Sequence, residues 1–171
     1  MKKLAKLMVV SILIFTGWQT AGAQNSRSQR KAEKQAEVKK MVDNSNFSFE
    51  ANYAIPQGSA TRVLTSTYDL KIRKDSVTAF LPYFGVAHLA PPIGSDDGGI
   101  KFTSTNFNYK QRELKKGGWE ITIKPRDKDI TDWKDVQQMI LNVSPEGYAS
   151  LLVISSNRDP ISFQGDIVTK N

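Results

Sequence analysis

The sequence predicts a mainly β protein: an antiparallel meander of about eight strands, forming a curved sheet or half-open barrel, preceded by one N-terminal helix. Two observations support this prediction. After Asp43, apolar and polar residues alternate through most of the chain, which is typical of strands with one buried and one wet face. Short turn-forming segments separate these runs and no helical crossover follows any of them, so sequential strands should pair with each other.

Residues 1–23 are predicted to be a cleavable secretory signal peptide. Three lysines precede a short apolar run at residues 7–15, and Ala21 and Ala23 supply the small residues that signal peptidase reads. A retained membrane anchor is the alternative, but a spanning helix needs about 20 apolar residues and this run is roughly half as long. The mature chain should therefore be exported, begin near Gln24 and contain no transmembrane segment.

Composition and charge bound the class of protein. Removing 23 residues from 171 leaves 148, a length typical of one domain. The chain has no cysteine, so packing and hydrogen bonds must stabilise it without disulfides. The net charge of +7 comes from residues 1–42, because the remainder carries 15 basic and 15 acidic residues. Nucleic-acid-binding domains normally carry a basic face, so nucleic acid is not an expected partner.

Residues 24–43 are predicted to form a basic helical segment. This stretch has no proline or glycine, and Ser26 or Ser28 could cap the helix N-terminus. Ala32, Ala36, Met41 and Val42 form only a thin apolar stripe. Two alternatives follow: a solvated helix that packs loosely on the domain, or a basic segment that contacts anionic lipid. The stripe lacks the Trp, Phe and Leu typical of the second.

Residues 44–171 are predicted to form the antiparallel β domain. In the first strand, Phe47, Phe49 and Tyr53 occupy alternate positions, which should put their side chains on one face. Residues 125–134 form a charged connection. Other strands are expected at 68–73, at 77–84, from near 101 through 107–109, at 119–123, and at 136–143, 148–155 and 161–168.

One hairpin allows its register to be predicted. Phe107 and Tyr109 should share a face with Trp119, which requires a connection of odd length. Residues 116–118 supply it as a three-residue turn with a glycine at positive φ. Lys115 should then pair with Trp119.

The residue types argue against a metal site, a cofactor or catalysis. His88 is the only histidine and cysteine is absent, whereas a zinc site needs three or four nitrogen or sulfur ligands. No serine lies in the G-x-S-x-G pattern that would make His88 the base of a triad. The chain is therefore expected not to be an enzyme, and His88 is expected to be structural or solvent-exposed.

Asp96 and Asp97 lie between glycines in the strongest loop signal of the chain. Their oxygens could hold Ca²⁺. The spacing departs from that of an EF-hand loop, which has acidic residues at alternate positions and a closing Glu. A glycine-rich turn with solvated carboxylates is the alternative, and no metal is predicted.

The approach to that loop is apolar, aromatic and rich in proline at residues 80–92, and about 20 residues pass without regular structure before the next strand. Such loops are usually functional or mobile. This segment either covers the open end of the sheet as a lid or lines a ligand or partner site. The candidate surface consists of Tyr83, Phe84, His88, Pro91, Pro92, Asp96, Asp97 and Arg158.

Arg158 belongs to this surface although it lies in the turn at residues 156–160. If the lid folds back over this end of the sheet, Asp96 or Asp97 could form a bidentate ion pair with Arg158, which Lys could not reproduce. The alternative is that Arg158 is solvated or bonds only local carbonyls.

Five short runs carry a resemblance to a known family: Leu81–Gly85, Asp97–Phe102, Gly147–Ala149, Ser156–Arg158 and Ile161–Gly165. They resemble the Bacteroidetes exported family catalogued as domain of unknown function 4251. The resemblance covers most of residues 30–168. It implies a Gram-negative envelope or periplasmic setting and supplies no catalytic residue.

Two functions are expected from these observations. The first is non-catalytic binding of an apolar or amphiphilic ligand, enclosed by the concave face of the sheet and the lid at residues 83–92. The alternative is a protein-protein interaction module of the cell envelope that presents the same segment to another protein.

Overall fold

The computed structural model describes residues 20–89, 98–127 and 136–169. It confirms the predicted fold class, because these residues form one N-terminal helix and an antiparallel, nearly closed barrel-like sheet. The sheet has nine strands rather than eight. The elements are α1 (Thr20–Asp43), β1 (Phe47–Pro56), β2 (Arg62–Ile72), β3 (Val77–Leu81), β4 (Ile100–Ser104), β5 (Phe107–Glu113), β6 (Trp119–Pro125), β7 (Gln138–Val143), β8 (Tyr148–Ile154) and β9 (Ile161–Val168).

The two ends of the sheet are joined by one short piece of chain. The strand order is β4-β3-β2-β1-β9-β8-β7-β6-β5, so β4 and β5 lie at opposite edges and run in the same direction. Only Thr105 and Asn106 separate them. The Arg126 amide donates to the Asn106 carbonyl over 2.8 Å, and the Ser104 hydroxyl donates to the Asp127 carboxylate. The chain thus changes strand partner between β4 and β5, which accounts for the ninth strand.

The concave face of the sheet is filled with apolar side chains. Inward residues alternate with outward residues along the strands, as the pleat requires. The concave face, predicted to enclose a ligand, is therefore occupied by the hydrophobic core of the protein. The largest fully buried side chains are Phe47, Phe49, Leu70, Ile72, Leu81, Ile121, Ile123, Met139, Leu141, Leu151, Ile161 and Phe163.

Helix α1 packs on the sheet only through its C-terminal turns. Val38, Met41 and Val42 are buried, and their i, i+3, i+4 spacing puts them on one face. The predicted stripe is wrong at Ala32 and Ala36, which are exposed. The helix also begins before the serines predicted to cap it. Residues 26–34 are exposed and do not contribute to the core. None of the described helices is apolar enough over sufficient length to cross a membrane.

Glu146, in the turn between β7 and β8, contacts the middle of α1. The Gln35 side-chain amide donates to Glu146 over 3.1 Å, and the Lys31 ammonium lies 3.3 Å from the same oxygen. Hydrogen bonds from Gln35, the larger cause, and from Lys31 hold the pKa of Glu146 below its ordinary value. A lowered folded-state pKa means that this contact stabilises the protein above the unfolded-state pKa and is lost as the pH falls through the folded-state pKa.

Gln35→Ala should raise the pKa of Glu146 toward its ordinary value, because the larger of the two hydrogen bonds is removed. The measurement is an NMR titration of the Glu146 side-chain carboxyl carbon. Glu120 is the matched control, since its pKa is lowered by Arg112 and not by the helix. An unmoved Glu146 titration would show that Gln35 does not hold α1 against this turn.

The β5–β6 hairpin has the predicted faces but a different register. Tyr109 pairs with Ile123 and Glu113 pairs with Trp119, so odd positions face odd positions as predicted. The predicted pairing of Lys115 with Trp119 is wrong, because the connection contains five residues, 114–118. Gly118 has positive φ, and a Cβ there would collide with the backbone carbonyl of Val143. Trp119 therefore pairs two residues earlier in β5 than predicted. A shift of two residues leaves each side chain on the same face of the sheet.

The first and last strands of the sheet are neighbours, and a β-bulge interrupts their ladder. Ala51 pairs with Gly165 whereas Tyr53 pairs with Gln164, so Asn52 is an extra residue in β1. An extra residue reverses the inward and outward alternation that follows it. The prediction that Tyr53 shares a face with Phe47 and Phe49 is therefore wrong, and the Tyr53 side chain is 44% exposed.

Candidate functional site

Residues 82–89, here named the covering segment, run from the end of β3 across the turn between β8 and β9. The Asp159 amide donates to the Val86 carbonyl over 3.0 Å, and the His88 amide donates to the Asn157 carbonyl over 2.8 Å. Ala87 and Arg158 form an isolated antiparallel bridge. The covering segment is thus bound to the turn through the backbone of both.

Arg158 lies beneath the covering segment and is only 4% exposed. Its guanidinium carbon is 4.8 Å from the centre of the Tyr83 ring, and Nη1 donates to the Gly98 carbonyl over 2.9 Å. Arg158 is therefore buried rather than solvated, and it contacts the chain on both sides of the connection between β3 and β4. Its predicted ion pair with Asp96 or Asp97 falls outside the described residues, as do Pro91 and Pro92.

The Tyr83 hydroxyl lies 2.8 Å from the Val86 carbonyl oxygen and 3.0 Å from that of Asp159, and it can donate its proton to either. Burial is the main cause that raises the pKa of Tyr83, with the Asp159 charge adding to it and Arg158 opposing it. His88 Nε2 lies 3.0 Å from an Asp159 carboxylate oxygen.

The covering segment thus gathers Tyr83, His88 and Arg158 around one turn. Phe84 points elsewhere and lies beneath the guanidinium of Arg62, 4.7 Å from it. The exposed apolar side chains of the segment are Val86 and Leu89. Because the polar groups bond one another and the backbone, this arrangement holds the connection in place.

A second candidate site, here named the outer groove, is an open depression of about 730 Å³ on the convex face of β7, β8, β9 and β1. Asn142, Ser150, Gln164 and Tyr53 form one row across these four strands, because each pairs with the next. The lining residues are Asn52, Tyr53, Leu114, Lys116, Gly117, Asn142, Val143, Ser144, Pro145, Tyr148, Ala149, Ser150, Gln164, Gly165 and Asp166.

A second, parallel row begins with Tyr148, which pairs with Asp166. The side chain of Asn52, the bulge residue, donates to the Asp166 carboxylate over 3.0 Å. Tyr148 is 67% exposed. Two strand spacings and two residues separate Tyr148 from Tyr53, which puts their Cα atoms about 12 Å apart. The outer groove thus has two exposed phenol rings, with Ser150 and Gln164 between them and Asn142 beyond Tyr148 on β7.

On the opposite side of the first row lies a third row that is largely aliphatic. Ile140 pairs with Leu152, Leu152 with Ser162, and Ser162 with Ile55. The three aliphatic side chains are half-buried on the convex face. The outer groove therefore adjoins an apolar strip, and the groove and strip together form an amphiphilic surface.

None of the outer groove residues was among the predicted site residues. A signal was present in the sequence, because the outward positions Asn142, Ser150 and Gln164 are polar but uncharged. The outward positions of β5 and β6 instead carry charges, as in the pair Arg112 and Glu120. The row of Asn142, Ser150 and Gln164 thus differs in composition from the outward face of β5 and β6.

Comparison with known proteins identifies a matching family model and solved structures of similar fold. Residues 29–167 match the family model described as Domain of unknown function (DUF4251). The crystal structure of a DUF4251 family protein from Bacteroides eggerthii DSM 20697 aligns with a TM-score of 0.61 and 16% identity, covering 81% of this chain and 89% of that chain. None of the curated proteins matches this chain at a significant level.

Proposed function

The chain belongs to the DUF4251 family, and we propose that it is an exported, non-catalytic protein that binds an amphiphilic ligand in the outer groove. The observation that carries the proposal is the outer groove itself: an open depression with two exposed tyrosines, several amide side chains and an adjoining aliphatic strip. Ligand sites combine apolar surface with a few well-placed polar groups in this way.

The convex face is a better site for the ligand than the concave face. Large side chains such as Phe47, Phe49 and Phe163 are fully buried on the concave face. A ligand entering there would have to displace core side chains, which would create cavities and strain elsewhere. The outer groove is already open and requires no such rearrangement.

Binding without catalysis is supported by the chemistry of the lining. Covalent catalysis requires a nucleophile within hydrogen-bonding reach of a base. Among the groove-lining side chains the ionisable ones other than tyrosine are Asp166 and Lys116, and Asp166 accepts a hydrogen bond from Asn52. His88, the only histidine of the chain, contacts Asp159 beside the covering segment and is not a lining residue.

Export to the envelope of a Gram-negative bacterium is part of the proposal. The lysine-rich start, the apolar run at residues 7–15 and the small residues at 21 and 23 support it. The relative of known structure comes from Bacteroides eggerthii, which is consistent with this setting.

A protein-protein interaction module is the second candidate function. It is supported by the exposed Val86 and Leu89 on the covering segment, which the backbone bonds to the β8–β9 turn hold in position. Exposed apolar side chains held on a rigid frame are typical of contact surfaces between proteins.

We expect octyl glucoside, at concentrations below its micelle threshold, to bind the outer groove, with its ring near the tyrosines and its alkyl chain on the aliphatic strip. Amide chemical shifts measured by NMR should change in a saturable way around Tyr53 and Tyr148. The variant that combines Tyr53→Ser with Tyr148→Ser should lose these changes. Phe80→Ser is the matched control, because Phe80 is 42% exposed on β3, away from the groove. Saturable changes confined to the covering segment would favour the second candidate.

A further inference from the structure

We propose that the outer groove recognises a neutral oligosaccharide. This inference rests on the proposed function and names the polar part of the amphiphilic ligand. Three properties of the groove support it: its exposed aromatic rings, the kind of hydrogen-bonding groups between them, and the absence of a free strand edge on the four strands that form it.

The two tyrosines, whose Cα atoms lie about 12 Å apart, offer flat platforms. Tyr148 and Tyr53 are 67% and 44% exposed, although large aromatic side chains are more often buried. The face of an aromatic ring carries negative potential and attracts the weakly positive C–H groups that one side of a sugar ring presents. The spacing allows a short chain of sugar rings to contact both tyrosines.

The hydrogen-bonding side chains of the outer groove match hydroxyl groups. Asn142 and Gln164 carry amides, and Ser150 carries a hydroxyl, so each of the three can both donate and accept a hydrogen bond. A sugar hydroxyl has the same dual character. Asp166 accepts, and the hydrogen bond from Asn52 over 3.0 Å fixes its orientation before any ligand arrives. Preorganised groups of this kind reduce the entropy that binding must overcome.

The charge of the lining favours a neutral ligand. One carboxylate, on Asp166, and one ammonium, on Lys116, oppose each other in sign. A phosphorylated ligand or a nucleic acid would call for clustered arginine or lysine side chains. The outer groove does not have this composition.

The position of the groove in the sheet disfavours a peptide. β7, β8, β9 and β1 each have a strand neighbour on both sides, so their backbone amides and carbonyls already pair within the ladders. An extended peptide that adds to a sheet requires a free edge, and without one it would have to leave its own backbone groups to water or to side chains. An oligosaccharide binds through hydroxyl groups and C–H faces and requires no strand edge.

The test uses maltotriose, cellotriose and tri-N-acetylchitotriose as probes, added at millimolar concentrations to the folded protein and followed by NMR chemical shifts. At least one probe should give saturable changes at the amides of the outer groove. Tyr148→Ser and Tyr53→Ser should each weaken its binding roughly tenfold, equivalent to about 1.4 kcal/mol. Phe80→Ser should leave the affinity unchanged.

Two outcomes would overturn the inference: no saturable change with any of the three trisaccharides, or binding that survives the combined Tyr53→Ser and Tyr148→Ser substitution. If octyl glucoside still binds the outer groove while the trisaccharides do not, the oligosaccharide inference fails and the proposed function stands. If neither kind of probe binds there, both fail.

Discussion

Gly165→Ala should destabilise the protein by about 3 kcal/mol, because an added methyl group has no space between β9 and β1. A Cβ at Gly165 would collide with the carbonyl oxygen of Glu50 and would lie 3.1 Å from the Cα atom of Ala51. Both neighbours are backbone atoms next to the bulge, and neither can move without disturbing the ladder. Urea unfolding should show this loss, and the thermal midpoint should fall by roughly 6–12 °C.

Gly98→Ala is the control for this prediction. No atom lies within 4 Å of a Cβ built at Gly98, and the carbonyl that accepts from Arg158 is unaffected by the substitution. The free energy of unfolding of the Gly98→Ala variant should differ from that of the unsubstituted protein by less than about 0.5 kcal/mol. If the Gly165→Ala and Gly98→Ala variants unfolded at the same urea concentration, the prediction that β1 and β9 leave no space for a methyl group at Gly165 would be wrong.

Arg158→Ala should destabilise the region around the covering segment by about 2 kcal/mol, since the Gly98 carbonyl loses a charged donor. The Tyr83 ring also loses the guanidinium that stacks on it. Hydrogen exchange of the His88 and Asp159 amides, which bond the segment to the turn, should become faster. Arg158→Lys should give an intermediate rate, because Lys keeps the charge and loses the planar group that stacks on the ring.

Arg112→Ala serves as a comparison, because Arg112 is exposed and pairs with Glu120 on the convex face. The hydrogen-exchange rates of the amides in the covering segment should be unchanged in Arg112→Ala. Unchanged protection of His88 and Asp159 in both Arg158 variants would show that the backbone bonds alone hold the segment to the turn.

Helix α1 shows which properties can be predicted from a short stretch of sequence. Helix formation at residues 24–43 is a local property, and the composition of the stretch predicted it correctly. Which face of the helix is buried depends on what it meets, and Val38 is buried because it packs against the turn at Gly147. The thin apolar stripe in the sequence did not contain that information.

Arg158 shows the same limit in a candidate site. The turn around it was evident from Asn157 and Pro160, and an arginine there left two alternatives, a distant partner or a solvated side chain. Its described contacts include a tyrosine ring and a backbone carbonyl. Every residue has a backbone carbonyl, so a sequence pattern cannot identify one that accepts a distant hydrogen bond.

Sequence patterns were sufficient to predict the fold class, the helix, the approximate strands and which residues of the β5–β6 hairpin share a face. Alternation and turn chemistry act between residues close together in the chain, so a short stretch of sequence reveals them. The pairing of β1 with β9 could be learned only from the folded chain, where Asn52 and Asp166 meet from 114 positions apart. The bulge that accompanies this pairing turns Tyr53 outward. The outer groove exists because strands from both ends of the chain lie side by side, and that arrangement depends on the pairing of β1 with β9.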